Sequence, residues 1–336
     1  MTLNAPGGLL SRRAAITTLT MLAAASRAQQ RPQKSNARLA FLGGAISEPA
    51  TVQAQVGSMR QGLRDLGWVE GRNLGIDARW AEARYERLPG LLDELLRLDP
   101  DVLVTSGPRP AMVAKDKVKS LPVVVVNIDD PVQMGLITSH TRPGGNMTGV
   151  TAAFRGIFPK RLQLLKDVVP AARRFAILFN PDTLPRQNLV QDVPSWEQSL
   201  GITFQLLEMR GPEDVEPAFA AMAREGADAI VLVADAMVWT QRARITAMCL
   251  EQRLPSAWGG GGYLDAGGLL SYQGDFPALY RRAAVLVDKI LRGTPPGEIP
   301  FEQGTKLELV VNLKGARALG ITIPQSVLVS ADEVIE

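Results

Sequence analysis

Pro122-Val-Val-Val-Val-Asn127, followed by Asp129-Asp130-Pro131, is the stretch that decides the fold. Four consecutive valines leave no polar face, so the segment suits a strand covered by helices on both sides, as in a parallel sheet. Parallel neighbours need long crossovers, and the chain supplies them on the upstream side. Arg38-Leu-Ala-Phe-Leu-Gly43, Leu74 to Trp80 and Asp101-Val-Leu-Val-Thr105 read as strands. Between the first two, Val52, Val56, Met59, Leu63 and Leu66 recur at four-three-four-three spacing, one apolar helix face closed by Gly67. Leu88 to Leu98 and Ala111 to Val118 read as the next helices, and Asn146 to Ala152 as a further strand.

The same alternation then repeats. Lys160 to Val168, Leu189 to Leu200, Val215 to Glu225 and Trp239 to Gln252 carry helical spacing. Phe175 to Asn180, Thr203 to Glu208, Ala229 to Val233, Leu254 to Trp258 and Gly268 to Tyr272 read as strands. Two such cycles predict an α/β chain with two doubly wound parallel-sheet lobes. The tail supplies the helix Pro277 to Leu291, a Pro/Gly-rich turn at Gly293 to Pro300, a strand Leu307 to Val311 and a short helix Leu313 to Leu319. With the long helix packed back on the first lobe and the last strand returned to the second, lobe 1 is expected at 37–150 plus 276–304. Lobe 2 is then 151–275 plus 305–336, and several chain crossings form the hinge.

Before the first strand, the composition changes. Arg12-Arg13 precedes the weakly apolar run Ala14 to Ala25, and Ser26-Arg27-Ala28 ends with small residues at the last and third-last positions, the pattern of a cleaved export signal over 1–28. Gln29 to Asn36 is then a short polar leader. The apolar run contains Thr17, Thr18 and Thr20 and is too short to span a bilayer core. Ser11-Arg12-Arg13 resembles a twin-arginine export motif, with Ala15 where that motif prefers Phe, so the route is left open between that pathway and general secretion. The segment holds three arginines and no acid, so its removal takes 37 Lys+Arg to 34 against 34 Asp+Glu. A neutral mature chain gives no ground for a nucleic-acid partner. No Cys follows residue 28 until the lone Cys249, so neither a lipid anchor on the mature N-terminus nor an internal disulfide is expected. The location expected is the periplasm.

The chemistry on offer is sparse. His140 is the one histidine and has no cysteine near it, so no His/Cys metal site is expected and the ring reads as a surface or packing group. No phosphate-binding glycine loop is present, and Gly43-Gly44-Ala45 lacks the third glycine of a dinucleotide fingerprint, so no cofactor is expected. Asp129 and Asp130 are adjacent and would point to opposite faces, a poor acid/base pair; the chain is not expected to be an enzyme.

Doubly wound lobes gather every β-to-α loop at one sheet edge, where ligands bind. The loops 43–47, 106–109, 127–131, 180–182, 235–239 and 258–263 therefore converge on one inter-lobe cleft. From them, Ser47, Ser106, Asp129, Asn180, Asp235, Trp258 and Gly260 are the expected ligand-binding residues. Amide N–H groups at helix starts would take the carboxylate of a small zwitterion, an Asp its ammonium, and an aromatic ring its side chain.

A run of short matches along nearly the whole mature chain carries a resemblance to a known family. They include Phe41-Leu-Gly-Gly44, Leu66-Gly-Trp-Val-Glu-Gly-Arg-Asn73, Arg79-Trp80-Ala81-Glu82, Asp130-Pro-Val with Gly135-Leu, Arg142-Pro-Gly-Gly-Asn146 and Lys160-Arg-Leu-Gln-Leu-Leu-Lys166. Later come Gly267-Gly268-Leu with Ser271-Tyr272, Tyr280-Arg-Arg-Ala-Ala284 and Leu319-Gly320 with Ile323-Pro324. In these the sequence resembles the substrate-binding proteins of ABC transporters, of the aromatic-amino-acid or uncharacterised type. It departs from them at Gly259-Gly-Gly-Gly262, where relatives often carry bulkier side chains. The resemblance implies a type I periplasmic-binding fold, a monomer that closes on a small polar or zwitterionic ligand such as an amino acid, and an ABC permease as partner. A ligand-sensing subunit for a membrane receptor or kinase is the alternative that the same architecture serves.

Overall fold

The computed structural model describes Thr2 and residues 36–47, 51–152, 154–304 and 306–336, with residues 51–55, 154–156 and 261 described by their backbone alone. The expected export segment 1–28 and leader 29–36 lie outside the described residues except for Thr2 and Asn36.

The four valines form the first four residues of strand β4 (Val123–Ile128), and all four are fully buried. They lie between β3 (Val102–Ser106) and β5 (Met147–Thr151) in a six-stranded sheet that continues to β1 (Ala37–Gly43) and β2 (Leu74–Trp80). The edge beside β5 is completed late in the chain by the two-residue strand β11 (Glu302–Gln303), and every pairing in this sheet is parallel. Helix α1 (Thr51–Asp65) covers one face, and α2 (Leu88–Leu96) and α3 (Pro108–Lys117) the other.

The second sheet has seven strands. In spatial order they are β13 (Glu333–Ile335), β12 (Leu307–Asn312), β10 (Leu270–Gly274), β9 (Ser256–Trp258), β8 (Ala229–Leu232), β6 (Arg174–Phe179) and β7 (Thr203–Glu208). Its helices are α4 (Phe154–Val168), α5 (Arg186–Leu200), α6 (Val215–Glu225), α7 (Ala236–Thr240) and α8 (Arg242–Glu251). The pair β10 and β12 is antiparallel, the one such pair in the described sheets. The reason is topological: between them the chain visits the first lobe and re-enters directly at Lys306, without a covering helix to turn it round.

That visit is made by α9 (Phe276–Leu291), which lies along α1. Its Leu279, Tyr280, Ala283, Ala284 and Val287 join Val56, Met59 and Leu63 of α1 in one core. The helices approach closely because Gly62 has no side chain; a Cβ there would stand 2.9 Å from that of Ala284. Trp68 Nε1 donates to Asp288 Oδ1 at 2.9 Å, and Arg292 Nε donates to the same oxygen at 2.7 Å, fixing the far end of α9.

The structure adjusts several sequence expectations. Helix α4 begins at Phe154 instead of Lys160, with Pro159 inside it, so the proline does not end the helix. The single helix expected over Trp239 to Gln252 is two, interrupted at Gln241, because Asp235 caps a separate first turn by accepting the Met237 N–H at 2.8 Å. Helix α3 starts at Pro108, not Ala111, with proline in its first turn, where a missing N–H costs nothing. Helix α10 (Leu313–Leu319) matches its expectation, whereas α11 (Gln325–Ser330) and β13 were not expected, being short and of mixed polarity. No helix among the described residues is long and apolar enough to cross a membrane.

Candidate functional site

The carboxyl ends of both sheets face each other across a cleft of about 340 Å³. From the first lobe come the turn after β1 (Gly44, Ala45), the β3–α3 turn (Ser106 to Pro110) and the end of β4 (Asn127 to Asp129). From the second come Thr183 and Leu184 after β6, Val233 to Ala236 after β8, and the glycine-rich turn after β9. Asn127 lies at φ +61°, in the left-handed region, where the register against β5 shifts between Val126 and Ile128. Asparagine tolerates that conformation better than other side chains, and the bulge breaks the ladder at the cleft wall.

Of the expected ligand-binding residues, Ser106, Asp129, Asp235 and Gly260 line the cleft. The other three do not. Ser47 turns away, its hydroxyl donating to Glu82 Oε1 at 2.7 Å. Asn180 is buried behind the wall, where its Nδ2 donates to Asp235 Oδ1 at 3.2 Å. Trp258 is fully buried, with its Nε1 donating to Ser256 Oγ; Tyr263 stacks on it with ring centroids 4.4 Å apart and stands between it and the cleft. Among the aromatic rings that line the cleft, Tyr263, with Trp239 edge-on at 4.8 Å, lies one layer nearer the ligand space than Trp258.

Asp235 is tied into the fold. Its Oδ2 accepts from Thr183 Oγ1 at 2.9 Å and from Tyr85 OH at 2.9 Å; its Oδ1 accepts from Asn180 and from the Met237 N–H. Four donors fill the acceptor capacity of one carboxylate. Tyr85 comes from the short turn after β2 in the first lobe, so its bond crosses the cleft. Burial, and then the Asp235 charge, push the Tyr85 phenol well above its ordinary pKa, keeping it a donor. Ser106 Oγ and Tyr280 OH are 2.6 Å apart, joining the β3 end to α9.

Sequence reading missed Arg161 and Gln273. Arg161 is 1% exposed yet lines the cleft; its Nε and Nη2 donate to the Tyr272 carbonyl oxygen at 3.1 and 2.8 Å, and its Nη1 to the Leu232 carbonyl oxygen at 3.4 Å. Burial lowers its pKa to about 10, which leaves it charged at neutral pH. Gly259 covers the guanidinium with bare backbone: a Cβ there would stand 3.1 Å from Nη2 and 2.9 Å from the Ala234 Cβ. A Cβ on Gly260 would stand 2.7 Å from the Tyr263 ring. The glycine turn thus serves close approach, and larger residues would displace the arginine or the tyrosine. The available signal was Arg161 on the stripe Phe158, Leu162, Leu165 and Val168, where a charge on an otherwise apolar helix face asks for a buried purpose.

The family model for ABC transporter substrate binding proteins matches residues 44–335. The chain belongs to this family. A tyrosine-binding protein of Clostridioides difficile (strain R20291) is 22% identical over 274 residues, 82% of this chain and 78% of that protein. A conserved domain protein from Vibrio cholerae O1 biovar El Tor is similar in structure with a TM-score of 0.82 at 25% identity, covering 89% of this chain and 99% of that one. An ABC domain in complex with L-Trp from Streptococcus pneumonia has a TM-score of 0.81 at 23% identity, covering 90% of this chain and 100% of that one. The family is one of binding proteins, and its members work with ABC transporters on small-molecule ligands.

Proposed function

We propose that this protein is an exported receptor that captures a small zwitterionic ligand, an amino acid, between its lobes and delivers it to an ABC permease. The observation that carries this is the 340 Å³ cleft walled by both lobes and bridged by Tyr85 and Asp235. Its volume suits a single small ligand, and the Tyr263 and Trp239 surface suits an aromatic side chain. The names of the tyrosine-binding relative and the L-Trp complex support an aromatic amino acid. We further take residues 1–28 as a signal removed on export, the mature protein as a periplasmic monomer with no nucleic-acid partner, and the lobes as 37–150 plus 276–304 and 151–275 plus 305–336.

Closure explains how occupancy is read: a ligand that contacts both lobes binds the closed state better, and a permease that recognises the closed pair senses it. Thermal shift against L-tyrosine, L-tryptophan, L-phenylalanine, other amino acids and sugars tests the reading. A ligand at 100 times its Kd adds about 2.7 kcal/mol of stability, and an aromatic amino acid is expected to give the largest shift. A flat response to all amino acids sinks the reading. For export, Arg12→Lys with Arg13→Lys is expected to block transport if the twin-arginine route is used; unaffected transport assigns general secretion.

A further inference from the structure

A ligand anion at the edge of an α/β sheet ordinarily meets the open N–H groups of a helix N-terminus. Among the described residues, the starts of α3, α7 and α9 at this cleft have each lost part of that capacity. Pro108 and Pro110 strip two N–H groups from the first turn of α3. Helix α7 commits the Met237 N–H to the Asp235 carboxylate, and α9 commits the Ala278 N–H to Asp275 Oδ1 and has Pro277 in its first turn. The last two starts also carry a negative side chain of their own. Among the described residues lining the cleft, positive charge comes from two arginines. Arg109 is half-exposed beside Tyr85, while Arg161 is buried and held in one orientation by carbonyl oxygens of two strands.

Beside Arg161 is an acceptor in want of a donor. Gln273 follows Tyr272, the residue whose carbonyl holds the guanidinium, and it too lines the cleft. Its Oε1 is buried and accepts no hydrogen bond, and it lies 3.5 Å from where a Cβ on Gly260 would be. A buried acceptor left unpaired is unfavourable unless something that enters the site supplies the donor. The guanidinium and the amide oxygen are thus carried by neighbouring stretches of the same wall, against the consecutive glycines Gly259 and Gly260.

We propose that Arg161 and Gln273 form the head-group site of the cleft, Arg161 taking the ligand's carboxylate and the Gln273 amide oxygen an N–H of its amine. This rests on the receptor reading above and sharpens it. The two groups require a carboxylate and an amine close together, as on an α-amino acid, with the side chain directed to Tyr263 and Trp239. Asp235 is left out of ligand binding, because its acceptors are filled by the protein.

Isothermal titration tests the assignment with L-tyrosine or L-tryptophan, whichever binds wild type more tightly, and its two truncated forms, the decarboxylated amine and the deaminated acid. Wild type is expected to prefer the full amino acid over each truncated form by about 10- to 100-fold. Arg161→Met is expected to bring the preference over the amine close to one while leaving the preference over the acid. Gln273→Leu is expected to do the reverse. Arg161→Lys guards against loss of folding in the methionine variant; it keeps the charge and is expected to retain part of the preference over the amine. The assignment is overturned if wild type binds the amine or the acid as tightly as the amino acid, or if both preferences survive in the folded variants. In those cases the receptor reading stands. If wild type binds neither amino acid, the aromatic-amino-acid reading and this assignment fall together.

Discussion

Removing one oxygen atom from the cleft should change how often the lobes are closed. In Tyr85→Phe the ring stays and the hydroxyl that donates to Asp235 Oδ2 at 2.9 Å is gone. The carboxylate keeps its other three donors, Asn180, Thr183 and the Met237 N–H, all on its own lobe, so the second lobe should fold as before. A hydrogen bond to a charged acceptor contributes about 1.5–3 kcal/mol. Because this bond exists only when the lobes meet, its loss should lower the closed-to-open ratio by roughly 10- to 150-fold. Where the closed state is the binding-competent one, ligand affinity falls by up to the same factor, and by less if wild type is largely closed before ligand arrives. Small-angle scattering of the ligand-free protein should show a larger radius of gyration in the variant, and titration with the ligand should show the weaker Kd. Superimposable scattering together with an unchanged Kd would refute the idea that this bond favours closure.

Three further outcomes are expected. Tyr85, Tyr263 and Tyr280 are raised above the ordinary phenol pKa by burial, Tyr280 to about 12; they ionise more readily unfolded than folded, so the stability they contribute is complete below pH 10 and is lost as the pH rises toward 12. Spectrophotometric titration of tyrosinate should therefore show these three phenols resisting ionisation until the protein unfolds, and their free titration near pH 10 in folded protein would contradict it. Burial raises the Cys249 thiol, so a thiol reagent should label it only at the rate of unfolding, and prompt labelling under native conditions would contradict its placement. Trp68→Phe removes one donor from the buried Asp288 and should cost about 1–3 kcal/mol by denaturant unfolding, with ligand affinity retained; a change below about 0.5 kcal/mol would mean Arg292 alone satisfies that carboxylate.

Much of the fold was legible because its signals are local and redundant. The valine run, the four-three spacing of α1 and the Gly/Asp/Pro turns each point to the same alternation, and β2, β7, α6 and α10 match their expected limits. The site was less legible because two layers of tertiary packing intervene. Trp258 and Tyr263 are close in sequence and both aromatic, yet stacking puts one behind the other. Asp235 reads as an available carboxylate until Asn180, Thr183 and Tyr85 arrive from 55, 52 and 150 residues away. Arg161 falls on the apolar stripe of its helix, but spacing does not say what its guanidinium meets, since the carbonyls of Leu232 and Tyr272 come from 71 and 111 residues away.

The passage of α9 into the first lobe also governs when the chain can fold. As the polypeptide emerges N-terminus first, Val56, Met59 and Leu63 of α1 have only the sheet side of their core until residues from 279 onward are available, and β11 comes later still. The second sheet in turn waits for β12 and β13, which follow α9 and β11 in the chain. Neither core can be completed before nearly the whole chain is present, so any partial chain exposes an apolar helix face and open strand edges. Truncations that remove α9 or β12 are expected to yield insoluble fragments instead of isolated lobes.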